Sequence, residues 1–251
     1  MMQIWDSVAA WQQRRAAIAG SIGVVPTMGA LHRGHAALIE RCRRENDVAV
    51  VTLFVNPTQF NDPNDLTRYP RTYEQDLDLM RGLGVDDVLA PPAADMYPQG
   101  YRYRIIPVQS NAVMEAAHRP GFLEGVMTVV MKLLNLVRAD RAYFGEKDFQ
   151  QLRTVQEMVQ EFFVPTEIVP CPTVRTDSGL AESSRNRLLS PQAIEQAAAL
   201  YRILTTAPTA ELAKEQLAAS GLAPEYVEEH WGRRFAAVYL EGVRLIDNVP
   251  H

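Results

Sequence analysis

Apolar positions follow two rhythms along the first two-thirds of this chain. Residues 22–25 and most of 48–55 are continuously apolar, and short runs of this kind predict strands buried on both faces. Residues 34–46 and Tyr73–Gly82 carry apolar side chains at helical spacing, the second segment closed by Gly82 and Gly84. A short strand is predicted over 87–90, stopped by Pro91-Pro92. With a first strand at 21–26, the order is β-α-β-α-β, which predicts a parallel sheet with right-handed crossovers.

The rhythm breaks over 56–71, where Pro57, Asn61, Pro63, Asn64 and Pro70 leave neither period. A long loop is expected there, at the sheet edge where ligands bind in open parallel sheets. Further on, 101–108 alternates like a strand, 125–138 reads as a long apolar helix, 141–144 as a strand and 149–163 as a helix. Residues 166–173, with Pro165, Pro170 and Pro172 in or beside them, read as an edge strand. The character changes from about Thr176. Ser190-Pro191 looks like a helix N-cap followed by proline at the first helical position. Helices are expected over 193–204 and Ala210–Ala219, and a small antiparallel element over 235–249. A boundary near Val174 thus separates a Rossmann-like, doubly wound α/β domain (1–173) from a smaller C-terminal α+β lid domain (174–251).

Composition narrows the function. A length of 251 residues with 47% hydrophobic and 22% charged residues is ordinary globular material, long enough for a sizeable core. The net charge of -5 gives no global basic surface, so nucleic acid is not an expected partner. Cys42 and Cys171 lack CxxC spacing and read as reduced cytoplasmic residues. The stretch 1–19 has no apolar h-region, and no apolar run approaches about 18 residues, so neither a secretory signal nor a membrane span is expected.

Chemistry is concentrated where predicted strands meet predicted helices. Pro26-Thr27-Met28-Gly29-Ala30-Leu31-His32-Arg33-Gly34-His35 follows the first buried strand. A strand, a glycine turn and a helix N-terminus bring backbone N–H groups to a nucleotide phosphate. His32 and His35 add donors that can stabilise a departing pyrophosphate. Gly145-Glu146-Lys147-Asp148 occupies the corresponding place after another strand, with Lys147 facing the same phosphates. Ser183-Ser184-Arg185-Asn186 supplies two hydroxyls and a guanidinium, as in a phosphate clamp. Asn56-Pro57-Thr58-Gln59 carries amides suited to the hydroxyls and carboxylate of a small ligand. Taken singly, each of the last three is also a good solvated turn; their shared placement favours nucleotidyl transfer.

In this order the motifs resemble the pantoate–β-alanine ligase (pantothenate synthetase) family of HIGH-type nucleotidyltransferases. The matching pieces are PTMGALHRGH at 26–35, FVNPTQF at 54–60, YPRT at 69–72, GVMTVVMKLL at 125–134, FGEKDFQQL at 144–152, GLAESSRN at 179–186 and RLIDN at 244–248. The resemblance implies a two-step ligation. ATP and (R)-pantoate give pantoyl adenylate and pyrophosphate, and the amine of β-alanine then displaces AMP. It implies His35, His32 and Lys147 as catalytic residues. An ATP site would comprise Met28, Gly29, Ala30, Leu31, His32, Arg33, Gly34, His35, Gly145, Glu146, Lys147, Asp148, Val174, Glu182, Ser183, Ser184 and Arg185. Gln59 and Gln151 would hold pantoate, with Gln59 also near β-alanine. Mg2+ would accompany ATP without a protein cage, and a cytoplasmic homodimer is expected. The chain departs from the family pattern at Phe122, where a histidine is usual, and at Ser178 and Glu182. Another HIGH-type nucleotidyltransferase, or a nucleotide-binding protein with impaired catalysis, is the alternative.

Overall fold

The structure is a computed structural model that describes residues 1–61, 63–108 and 113–251. Its first compact unit comprises Met1–Gly145 and Gln150–Cys171. The strands of this unit are Gln3–Trp5 (β1), Ile22–Thr27 (β2), Val48–Leu53 (β3), Asp87–Leu89 (β4), Arg141–Gly145 (β5) and Glu167–Cys171 (β6). They form one six-stranded sheet in the order β1-β4-β3-β2-β5-β6, every pair parallel. The chain runs outward from β2 to β4, then returns to β5 beside β2. The switch point of the sheet therefore lies between β2 and β5, and both phosphate-type motifs begin at the carboxyl ends of these two strands.

Helices cover the sheet. They are Val8–Ala17 (α1), Arg33–Glu45 (α2), Pro63–Arg68 (α3), Tyr73–Gly82 (α4), Ala93–Met96 (α5), Met114–His118 (α6), Phe122–Val137 (α7) and Phe149–Glu161 (α8). One core joins Leu38, Ile39 and Cys42 of α2 and Leu77 and Met80 of α4 to Val25, Val51 and Val88 of the strands. Burial pushes the Cys42 thiol up to about 12, so it behaves as a small apolar side chain. Cys171 is also buried and forms no disulfide.

Several expectations change. β1 and α1 were not foreseen: α1 buries only Trp11 among its ten residues, too narrow an apolar stripe to read. The pair is held by a polar contact instead, in which buried Asp87 accepts from Trp5 Nε1 and from Arg14 Nε and Nη2. The expected loop at 56–71 contains a 3₁₀ turn at Pro57–Gln59 and α3; Asp62 lies outside the described residues. Two of the three prolines that suggested a loop, Pro57 and Pro63, open helical segments, the position where a missing N–H costs nothing. No strand forms over 102–107, because the Ile105 N–H donates to Thr128 Oγ1 of α7 rather than to a neighbouring strand.

The second unit comprises Glu146–Phe149 and Pro172–His251. It holds Pro191–Ala197 (α9), Ala199–Thr206 (α10), Ala210–Ala219 (α11) and the antiparallel sheet Ala223–His230 (β7), Arg233–Leu240 (β8) and Val243–Pro250 (β9). The single helix expected at 193–204 is two, meeting at Ala198, and the sheet has a strand, β7, beyond those expected. Ser190 caps α9 by accepting the Ala193 N–H, with Pro191 opening the helix. The unit's core packs Leu200, Ile203, Leu204 and Leu217 against Ala236, Val238, Leu245 and Val249.

Candidate active site

After β2 the chain turns through Met28, Gly29, Ala30 and Leu31 into α2. Gly29 and Ala30 both take left-handed φ values, +82° and +50°. A Cβ at Gly29 would be strained and would meet Asp76 Oδ2 and Leu53 Cδ1 at 3.1 Å, so the position needs glycine. Asp76 of α4 fixes the turn. Its carboxylate, 2% exposed, accepts the Ala30 N–H at 2.9 Å, the Leu31 N–H at 2.8 Å and the Thr72 hydroxyl at 3.0 Å. Two of the backbone N–H groups expected to face a phosphate are thus engaged by a side chain. The histidines become the more prominent donors of this turn.

His32 is the N-cap of α2, and it forms a reciprocal capping box with His35. His32 Nδ1 accepts the Gly34 N–H at 3.1 Å, and His35 Nδ1 accepts the His32 N–H at 3.4 Å. The ring centroids lie 4.1 Å apart. An imidazole that accepts at Nδ1 carries its proton on Nε2. Both rings therefore present an Nε2–H donor at a helix N-terminus, where the helix dipole also favours an anion.

The next loop is organised by Asn56, 1% exposed. Its Oδ1 accepts from Tyr97 Oη, Thr58 Oγ1 and the Thr58 N–H, and its Nδ2 donates to Gln59 Oε1 and to the Gly125 carbonyl. The contact to Oε1 sets the orientation of the Gln59 amide, whose Nε2 then points to Met28 Sδ at 3.1 Å. A thioether is a weak acceptor, so an incoming carboxylate can replace it at little cost. Gly125 of α7 admits this loop: a Cβ there would lie 2.3 Å from the Thr58 carbonyl oxygen. Gln59 and Met28 are brought together. Gln151 is half-buried on α8, and its neighbour Gln150 braces the start of α6 by accepting the Glu115 N–H and donating to the Val113 carbonyl.

In the second unit, Glu146–Asp148 forms a 3₁₀ turn with the Lys147 ammonium 3.8 Å from Asp148. Residues 174–182 form a tight hairpin: the Glu182 N–H donates to the Val174 carbonyl and the Thr176 N–H to the Leu180 carbonyl. Val174 and Glu182 are thereby neighbours. Ser183 Oγ accepts the Arg185 N–H and starts the 3₁₀ segment Ser184–Leu188, with Ser184 buried. Arg175 anchors the hairpin through two bonds to Asp247, at 2.6 and 2.9 Å. Among the described residues no group of three His, Cys, Asp or Glu side chains could hold a metal ion.

Comparison with known proteins decides what these turns belong to. The family model described as Pantoate-beta-alanine ligase matches residues 2–250. The chain belongs to the pantoate–β-alanine ligase family. It is a ligase, joining pantoate to β-alanine to give pantothenate. A pantothenate synthetase of Bdellovibrio bacteriovorus is 49% identical over 249 residues, covering 99% of each chain. One of Legionella pneumophila is 47% identical over 249 residues, covering 98% of this chain and 99% of the relative. Among solved structures, a pantoate–β-alanine ligase from Francisella tularensis, complexed with beta-gamma ATP and β-alanine, has a TM-score of 0.96 at 41% identity. It covers 100% of this chain and 98% of that one. A pantothenate synthetase from Thermus thermophilus gives 0.92 at 41% identity, covering 99% of both chains.

Two of the positions expected to depart from the family pattern, Phe122 and Ser178, have local partners. Phe122 lies under the Arg119 guanidinium at 3.6 Å from the ring centroid. Arg119 in turn donates to the Gln59 carbonyl, so the aromatic ring helps brace the Gln59 loop. Ser178 Oγ lies 2.9 Å from Thr176 Oγ1 inside the hairpin. Sequence reasoning missed Asp76, which looks like any acid in the first turn of an exposed helix, and passed over the bracing role of Asn56 beside the more suggestive Gln59.

Proposed function

We propose that the ligation runs through a pantoyl adenylate, with MgATP as substrate. The pantoate carboxylate attacks the α-phosphorus and pyrophosphate leaves. The amine of β-alanine then attacks the acyl carbon, losing a proton as AMP departs. The paired Nε2–H donors of His32 and His35 carry this reading: they offer two hydrogen bonds to phosphate oxygens whose charge rises as pyrophosphate leaves. Met28, Gly29, Ala30, Leu31, Arg33 and Gly34 would also serve ATP binding, as would Gly145, Glu146, Lys147, Asp148, Val174, Glu182, Ser183, Ser184 and Arg185. Mg2+ would enter on the ATP phosphates, which supply the oxygen ligands this cation prefers. A homodimer and a cytoplasmic location rest on the family resemblance alone. Product analysis by mass, after incubation with ATP, Mg2+, pantoate and a panel of amines, tests the proposal. Pantothenate and AMP formed only with β-alanine are expected; nucleotidyl transfer to another acceptor class would sink it.

Lys147 is assigned to the phosphates. Lys147→Ala should remove a charge-assisted contact of about 1.5–3 kcal/mol, lowering kcat/KM for ATP roughly 10–150-fold. The KM for pantoate should stay put. If pantoate binding alone changes, the lysine belongs to the other substrate.

Gln59 and Gln151 are assigned to pantoate. Uncharged amides can hold its carboxylate without the ion pair that would stabilise the nucleophile more than the transition state. Both alanine variants should weaken pantoate use, by about tenfold for one lost hydrogen bond. Only Gln59→Ala should also slow single-turnover aminolysis of preformed pantoyl adenylate. An unchanged aminolysis rate would remove Gln59 from the amine site.

A further inference from the structure

Lys147 is carried by a turn of three residues, and in the second unit one side chain bonds two of that turn's carbonyls. Asn248 of β9 is 1% exposed. Its Nδ2 donates to two successive carbonyls, Glu146 O at 3.0 Å and Lys147 O at 2.9 Å. Its Oδ1 accepts from Arg233 Nε of β8 at 2.6 Å, which leaves the amide one orientation. Arg233 also lies 3.7 Å from the Glu146 carboxylate and stacks over the Phe149 ring at 4.6 Å. Phe235, which pairs with Asn248 across the two strands, meets the same ring. Glu146, Lys147 and Phe149 thus meet side chains on one face of β8 and β9.

Resting on the reading of Lys147 as the phosphate-facing cation, we propose that Asn248 is the positioning residue that sets Lys147 for adenylate formation, with Arg233 orienting its amide. Two donors on one short, planar group fix both the place and the tilt of the Lys147 peptide. At this length only an amide offers two N–H donors together with an acceptor for Arg233. The preceding residue, Asp247, projects to the opposite face of the strand and takes the paired bonds of Arg175. One dipeptide therefore sets the Lys147 turn and the hairpin that leads into Ser183–Arg185 relative to one another, two segments far apart in sequence.

The test is a double-mutant cycle on the full chain, read as initial-rate pyrophosphate release with ATP or pantoate varied. Asn248→Asp keeps the size and the Arg233 pairing but turns a carboxylate oxygen toward two carbonyls. It should lower kcat/KM for ATP about tenfold and leave the pantoate KM unchanged. In a Lys147→Ala background the same substitution should have no further effect. Arg233→Met, which frees the amide to rotate, should shift the same parameter by a smaller factor and serves in the cycle if Asn248→Asp does not fold. Independent, multiplying effects in the double variant would overturn the proposal. So would a pantoate KM that moves as far as that for ATP, the mark of a general loosening. If Lys147→Ala alone leaves ATP kinetics intact, the phosphate role of Lys147 fails instead, and the single variant tells the two failures apart.

Discussion

His35→Ala is expected to fold normally and to release pyrophosphate about 10²–10³ more slowly, the usual scale for removing one transition-state donor. The fold should survive because His35 is half-buried and its one bond to the cap, at 3.4 Å, is long. His32→Ala is a poorer probe. It also removes the N-cap acceptor for Gly34, so loss of helix stability would mix with loss of chemistry. His35→Asn refines the result, since an amide oxygen can still accept at the cap while the Nε2–H donor is gone. Circular dichroism, a melting curve and a pyrophosphate-coupled assay on each variant settle the matter. A folded His35→Ala variant with near-normal pyrophosphate release would remove the imidazole from the phosphate site.

The same turn shows what a sequence can and cannot reveal. β2 and β3 were legible because buried parallel strands are apolar throughout, and that pattern needs no partner to be recognised. The histidine turn was legible because strand, glycine and helix N-terminus occur in immediate succession. The contacts that hold it were not. Asp76 is 46 residues from Ala30, and no local rule distinguishes it from the exposed acids beside it. Burial, which turns an ordinary aspartate into an anchor, comes only from the tertiary fold. The apparent strand at 101–108 fails for the converse reason. Alternation is a local property, whereas a strand needs an edge to pair with, and here Thr128 takes the Ile105 N–H. Asn248 and Asp247 lie in the RLIDN segment, so their neighbourhood was visible, but nothing in it points back a hundred residues to Lys147.

Asp76→Ala is expected to harm both stability and chemistry. The carboxylate serves two backbone N–H donors and a hydroxyl in a setting that is 2% exposed, where water cannot readily replace it. Leaving buried donors unpaired costs about 1–3 kcal/mol each, so a loss of about 3 kcal/mol or more is expected. In a chain of this size that corresponds to a fall in Tm of roughly 6–12 °C. Catalysis should suffer beyond the stability loss. Ala30 is held at a φ of +50°, unfavourable for a residue with a Cβ, and the bonds to Asp76 are what offset that strain. Without them the turn relaxes, and His32 and His35 move with it. A displacement of about 1 Å can reduce the rate some 10²-fold. Asp76→Asn separates the two effects, because it preserves shape and one acceptor but turns an N–H donor toward a backbone N–H. It should fall between wild type and alanine in urea denaturation and in pyrophosphate release. Wild-type melting with wild-type pyrophosphate release in Asp76→Ala would show that the turn holds itself, and that the left-handed pair at Gly29 and Ala30 needs no outside anchor.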